Sequence, residues 1–223
     1  STTERPLDPV FPVVIWSKEG VPRSVMDVEN HAPHRLLIPR PDHPVAASGQ
    51  QLIRGIPIVR PASNGRWLFV AHQPDLVPDE RGRVDVRVYR FAADGSAMDT
   101  VNLSIALNRT PQELRSQMTE YATVIAQQTG TRPDDVVGAL WIPDYLPPVR
   151  EIYADDEGFW VRRDQGTPGR WERYDLSGRL EARVSLPPTI HGLAATRTSI
   201  LGWQMGHIGV VTISEFLVRY ETN

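Results

Sequence analysis

The sequence predicts a mainly β chain of repeated four-stranded antiparallel units, interrupted by one α-helix. Three observations predict it. Prolines and glycines number 20 and 16 in 223 residues, and they punctuate the chain without forming a tract. That favours many short elements over a few long helices. Apolar residues alternate with polar ones in most ordered-looking segments, and helical spacing occurs once. The hairpins also repeat one another.

The first hairpin joins Val13-Val14-Ile15-Trp16 to residues 21–28 through Ser17-Lys18-Glu19-Gly20. It reads as half a unit over 11–28. The stretch after it, with His31, His34 and His43 among prolines, reads as an irregular loop. Residues 53–105 form a full unit. Residues 56–60 turn at Ala62-Ser63-Asn64-Gly65 into Arg66-Trp67-Leu68-Phe69-Val70, and residues 84–91 turn at Ala92-Ala93-Asp94-Gly95 into 96–103. Glycine closing such a turn supplies the positive φ that tight hairpins need.

Thr110-Pro111-Gln112-Glu113 predicts a capping box with Thr110 as N-cap, and Leu114, Met118, Tyr121 and Ile125 then fall on one face up to Gly130. The helix is expected over 111–129, inside an insertion of residues 106–148. A second full unit follows over 149–187. Glu151-Ile152-Tyr153 turns into Phe159-Trp160-Val161, then Trp171-Glu172-Arg173-Tyr174 turns at Asp175-Leu176-Ser177-Gly178 into 179–186. The last unit, 189–223, contains three strands and lacks its outer one. Four short antiparallel strands per 40–50 residues are the pattern of a β-propeller blade. The expectation is a partial β-propeller of about three blades, one single domain with an inserted helix.

Asp156-Glu157-Gly158-Phe159-Trp160-Val161, residues 171–187 ending in Leu186-Pro187, and residues 200–220 resemble the last blades of bacterial six-bladed, NHL-like β-propellers. Trp141-Ile142-Pro143-Asp144-Tyr145-Leu146-Pro147-Pro148 resembles the proline-rich approach to a blade in that family. The resemblance spans roughly residues 50–223. It implies a fold and, for many members, an extracytoplasmic location, but no particular activity. About 13 strands are recognisable where six full blades need about 24. The chain is therefore expected not to close a ring alone, leaving an open edge for an upstream propeller half, a partner or a second copy. A start at Ser1-Thr2-Thr3-Glu4 without methionine reads as a processed chain, a recombinant form or part of a longer product.

Composition narrows the chemistry. A net charge of −3, with 24 basic and 27 acidic residues, gives no footprint for nucleic acid. With no cysteine there is no disulfide, thiolate metal site or cysteine nucleophile. No apolar run is long enough to span a membrane. Gly-x-Ser-x-Gly and phosphate-cradling loops are missing, so no catalytic residue, cofactor or metal is assigned. His31 and His34 with Asp42 and His43 read as a polar loop rather than a metal site. His72, His191 and His207 read as isolated structural or surface side chains.

Glu151 and Asp144 are the carboxylates a calcium-dependent propeller hydrolase would use, as the lactonase-like relatives imply. Asp134-Asp135 and Asp155-Asp156-Glu157 are small acidic runs, and the second lies on a turn opposite the tunnel mouth or is simply a solvated turn. Arginines 162, 163, 170, 173, 179 and 183, interleaved with Glu172, Asp175 and Glu181, read as a mixed soluble face. Trp67 and Trp160 read as equivalent packing residues of two units. The favoured function is a non-enzymatic binding or scaffolding module, an accessory subunit of a larger extracytoplasmic or membrane-associated assembly, one form of which is a seat peripheral on a membrane complex. Its expected contacts are Arg115, Thr119, Trp141 and Tyr145, with Gln112 and Gln127 beside them on the helix.

Overall fold

The computed structural model describes residues 10–16, 22–29, 35–38, 47–50, 57–94, 98–163, 169–206 and 209–219. The chain is mainly β, built from antiparallel sheets with two helices. Strands β1 (Val10–Trp16) and β2 (Pro22–Glu29) pair as a two-stranded sheet, as do β3 (Arg35–Ile38) and β4 (Ala47–Gln50). A four-stranded meander follows in chain order: β5 (Ile58–Pro61), β6 (Trp67–Ala71), β7 (Arg83–Ala92) and β8 (Met98–Ala106). Then come helices α1 (Gln112–Thr129) and α2 (Pro133–Ala139). A second meander joins β9 (Glu151–Ala154), β10 (Gly158–Arg162), β11 (Gly169–Asp175) and β12 (Leu180–Leu186). The last sheet has three strands: β13 (His191–Ala195), β14 (Ser199–Met205) and β15 (Val211–Leu217).

Sheets β1–β2, β5–β8, β9–β12 and β13–β15 stack in that order, with β9 lying beside both β5 and β13, while β3 packs on the helices. Each interface has its own apolar core. Val13 and Val28 meet Val70 and Phe91 between β1–β2 and β5–β8. Phe69, Val86 and Leu103 meet Ile152, Phe159 and Val161 between the two meanders. Tyr153, Trp160, Trp171 and Leu186 meet Ile190 and Ile200 under the last sheet. Each fully buried aliphatic or Phe side chain contributes roughly 1.5–3 kcal/mol, against about 1 kcal/mol net for a hydrogen bond, so these cores dominate the cohesion of the stack.

Turn chemistry supports the stack. Gly178 has φ +83, and a Cβ there would lie 2.9 Å from the Asn102 carbonyl oxygen on β8. It serves both the hairpin and the close approach of two sheets. The expected turn glycines Gly20 and Gly95, and the turn at 17–20, lie outside the described residues.

Three features depart from expectation. Thr110 does not cap α1: the N-cap is Pro111, with no side-chain cap bond, and the Thr110 hydroxyl donates to the Pro143 carbonyl at 2.6 Å. That hydroxyl closes the neck of the insertion instead, where Leu146 N–H donates to the Asn108 carbonyl and Thr110 N–H to that of Asp144. A second helix, α2, stands beside the single one expected: the acidic run Asp134-Asp135 forms its first turn behind Pro133, where carboxylates suit the helix dipole. The supposed irregular loop contains β3–β4. Ile38 of β3 is fully buried beneath α1 and α2 with Met118, Ala122, Ala126 and Val136. The small Ala122 and Ala126, one and two turns beyond Met118, allow that close approach. No helix among the described residues is long and apolar enough to cross a membrane.

Candidate functional site

Sheet β9–β12 is covered on both faces, and its strands carry charge into the interior. Arg162, Arg163, Arg173 and Glu172 are buried, where alternation with carboxylates had suggested a solvated surface. Glu172 is the hub. Its Oε2 accepts from Arg163 Nη1 at 3.0 Å and from the Tyr174 hydroxyl at 2.8 Å. Its Oε1 lies 3.0 Å from Arg170 Nη2 and accepts from Arg183 Nε at 3.1 Å. Burial pushes the Glu172 carboxyl up, but Arg163, the Tyr174 hydroxyl and the Arg170 charge together outweigh it and hold the carboxyl below its ordinary value. Tyr174 is driven the other way, by burial first and then by Glu172, so it stays a neutral donor.

The opposite face ties this sheet to the last one. Arg173 grips Asp155 through two bonds of 3.0 Å and reaches Glu181 at 3.0 Å. Arg162 donates to Glu151 at 3.1 Å and to the Pro188 carbonyl at 3.1 Å. Trp160 Nε1 donates to the Thr196 carbonyl at 2.7 Å, and the Tyr153 hydroxyl to that of Gly192 at 2.8 Å. These bonds satisfy most polar groups that sheet stacking buries, which is the condition for burying them at all.

The last sheet presents a different surface. Ile200 and Phe216 are cross-strand partners and pack toward β9–β12. The next pairs along β14 and β15, Leu201 with Glu215, Trp203 with Ile213 and Met205 with Val211, occupy the other face, because partners share a face and neighbours alternate. Leu201, Met205, Val211 and Ile213 are exposed, as are Leu217 at the strand end and Leu193 in the bulge of β13. His191 stacks on Trp203 with ring centroids 4.6 Å apart. Among the described residues nothing covers this face.

The residues expected to make contacts are divided. Arg115 is bound at the neck, 3.0 Å from Asp144 and 3.3 Å from the Pro143 carbonyl. Tyr145 lies under the Arg109 guanidinium, 5.7 Å from ring centroid to Cζ. Trp141 is half-buried against the cluster around Ile38. Thr119 is exposed, its hydroxyl donating to the Arg115 carbonyl in its own helix. The carboxylates Asp144 and Glu151 do not come together: one meets Arg115, the other Arg162. No group of three or more His, Asp or Glu able to hold a metal forms among the described residues. His31, His34, Asp42, His43 and His207 lie outside them.

Trp67 is not the counterpart of Trp160. Ile58 pairs with Ala71 as Glu151 pairs with Arg162, so Phe69 takes the Trp160 position, and both are fully buried against the following sheet. Trp67 is half-buried under Arg90, 4.4 Å from its ring centroid. The open face escaped the sequence reading, although a signal for it exists. Ile200-Leu201 and Phe216-Leu217 put apolar residues on both faces of their strands, the signature of a sheet with two neighbours.

Compared with protein-family models, curated proteins and solved structures, the chain matches none.

Proposed function

We propose that the chain is a non-enzymatic binding and scaffolding module, an arc of a six-bladed, NHL-like β-propeller that serves as an accessory subunit of a larger extracytoplasmic or membrane-associated assembly. Two consecutive four-stranded meanders with their first strands side by side support the propeller arc. In that reading 11–28 is a half blade, 53–105 and 149–187 are full blades, 106–148 is an insertion and 189–223 is a blade without its outer strand. The insertion is a second contact element, offering the exposed Thr119 beside Arg115, Trp141 and Tyr145.

One observation carries the binding role: the uncovered apolar face of β14 and β15, where Met205, Ile213 and Leu217 are 64%, 61% and 73% exposed. Contiguous apolar surface of that kind marks interaction sites. A photo-crosslinking residue in place of Ile213, compared with one at the exposed Met98 of β8, tests it in the native host. Ile213 is expected to give protein adducts that Met98 does not, and equal labelling at both positions would overturn the reading. Calcium-dependent thermal stabilisation accompanied by lactone hydrolysis would replace it with the calcium-dependent hydrolase.

A further inference from the structure

We propose that Asn64 is a site of spontaneous modification: the Gly65 nitrogen attacks its side-chain amide, and the resulting carboxylate faces Asp156 and loosens the β5–β6 turn from sheet β9–β12. Asparagine is a chemically labile side chain, and the residue that follows it governs how readily it reacts. The chain has five asparagines, and only Asn64 precedes a glycine.

The turn suits the attack. Gly65 has φ +70, and the space where a Cβ would stand holds nothing within 4 Å, so no side chain screens its nitrogen. Asn64 and Gly65 are both exposed, which admits water. The Arg66 N–H donates to Asn64 Oδ1 at 2.8 Å. That bond folds the side chain back along its own backbone toward the Gly65 nitrogen, as in an Asx-turn. It also polarises the amide carbonyl and is placed to hold the oxyanion that the attack creates, as a backbone donor does in acyl transfer.

The bond from Gly65 N to Asn64 Cγ forms and closes an imide ring, a step made accessible by the proximity of the two groups. The Cγ–Nδ2 bond breaks, the Gly65 N–H proton passes through water to Nδ2, and ammonia leaves. A water molecule then opens the imide at either carbonyl, giving an aspartate or an isoaspartate at position 64. Two contacts oppose the attack: the Gly65 N–H donates to the Ala62 carbonyl at 3.0 Å, and Asn64 Nδ2 donates to the Asp156 carboxylate. Each slows it by only about fivefold, the worth of one ordinary hydrogen bond.

The consequence falls on a sheet interface. The β5–β6 turn meets the β9–β10 turn through Ser63 N–H, which donates to the Ala154 carbonyl at 3.0 Å, and through Asn64 to Asp156. Beside them Ala62 is buried in the core between the two meanders. Conversion replaces the amide donor with a second carboxylate, so a bond between the sheets becomes a repulsion of like charges.

Peptide mass spectrometry of the full chain, held warm at mildly alkaline pH, tests this with Asn102 as internal control, since it is exposed on β8 and precedes Leu103. Asn64 is expected to convert at least about tenfold faster than Asn102 and to yield isoaspartate as well as aspartate, the mark of the imide. Asn64→Asp supplies one product directly. Denaturant unfolding at neutral pH should show its folding constant lowered by about two- to fivefold, the range of an exposed charge contact, and not lowered where Asp156→Asn removes the facing charge. Conversion of Asn64 no faster than that of Asn102, or aspartate without isoaspartate, overturns the proposal. So does an Asn64→Asp chain as stable as the wild type, or a loss that persists undiminished beside Asp156→Asn.

Discussion

Sheets β9–β12 and β13–β15 are made from the same alternating strands, yet they meet different surroundings. The first has a neighbour on each side, and even its charged residues are enclosed: Arg173 is fully buried between Asp155 and Glu181. Among the described residues the second has a neighbour on one side only, so Ile200 is fully buried while the adjacent Leu201 is exposed. Burial in this molecule is thus set by what stacks on a sheet and not by the polarity of a strand. Large apolar groups exposed on β14 and β15 have the composition of a buried sheet that lacks one layer.

Matched substitutions in the two sheets test this contrast by denaturant unfolding. The largest difference is expected at the aromatic core. Trp160→Ala should cost roughly 3–5 kcal/mol, since it empties a fully buried site and removes the bond to the Thr196 carbonyl. Leu201→Ala on the open face should cost less than about 1 kcal/mol in the isolated chain. Equal costs would mean that the face is already covered.

Charge comes next. Glu172→Ala leaves the buried Arg163 without its carboxylate and should destabilise by about 3 kcal/mol, whereas Glu215→Ala should stay within about 0.5 kcal/mol. Backbone proximity follows. A Cβ on Gly192 would sit 2.6 Å from the Tyr153 ring and 2.7 Å from that of Trp171, so Gly192→Ala should cost about 2 kcal/mol. At Gly206, where the nearest contact is 3.4 Å, alanine should be tolerated.

The smallest contrast is in pH. The folded state holds the Glu172 carboxyl below its ordinary value of 4.5. Its stabilising contribution is therefore complete above that value and is lost as the pH falls through the lower folded one. Unfolding free energy measured from pH 6 downward should fall less steeply in Glu172→Gln than in the wild type. A loss in Glu172→Gln parallel to that of the wild type would contradict the hub role.

The strands were legible because a period of two and turn signals are local properties: Asp175-Leu176-Ser177-Gly178 announces its hairpin without reference to anything distant. Equivalence between units was less legible. The turn between β5 and β6 is longer than that between β9 and β10, and aligning tryptophans across it matched Trp67 with Trp160 in place of Phe69. Helix α2 has its signal in Pro133-Asp134-Asp135 but is only two turns long, and β3 and β4 are four-residue strands among prolines. The arginine network was illegible for a different reason. Arg163 reaches the Ala106 carbonyl and Arg197 reaches Glu157, contacts made by stacking and not by spacing along the chain. The open face was half legible: the unpaired edge follows from counting strands, but the apolar face needs the register of Trp203 with Ile213.

The central claim, that the outer face of β13–β15 is covered in the working protein, can be read from two methionines. Met205 lies on that face and Met98 on β8, and the isolated chain exposes them almost equally, at 64% and 62%. Dilute peroxide converts accessible methionines to sulfoxides, and peptide mass spectrometry follows each one. In the native assembly Met205 should oxidise several-fold more slowly than Met98, and the two rates should converge when the assembly is dissociated. Equal rates in the native assembly would contradict the claim.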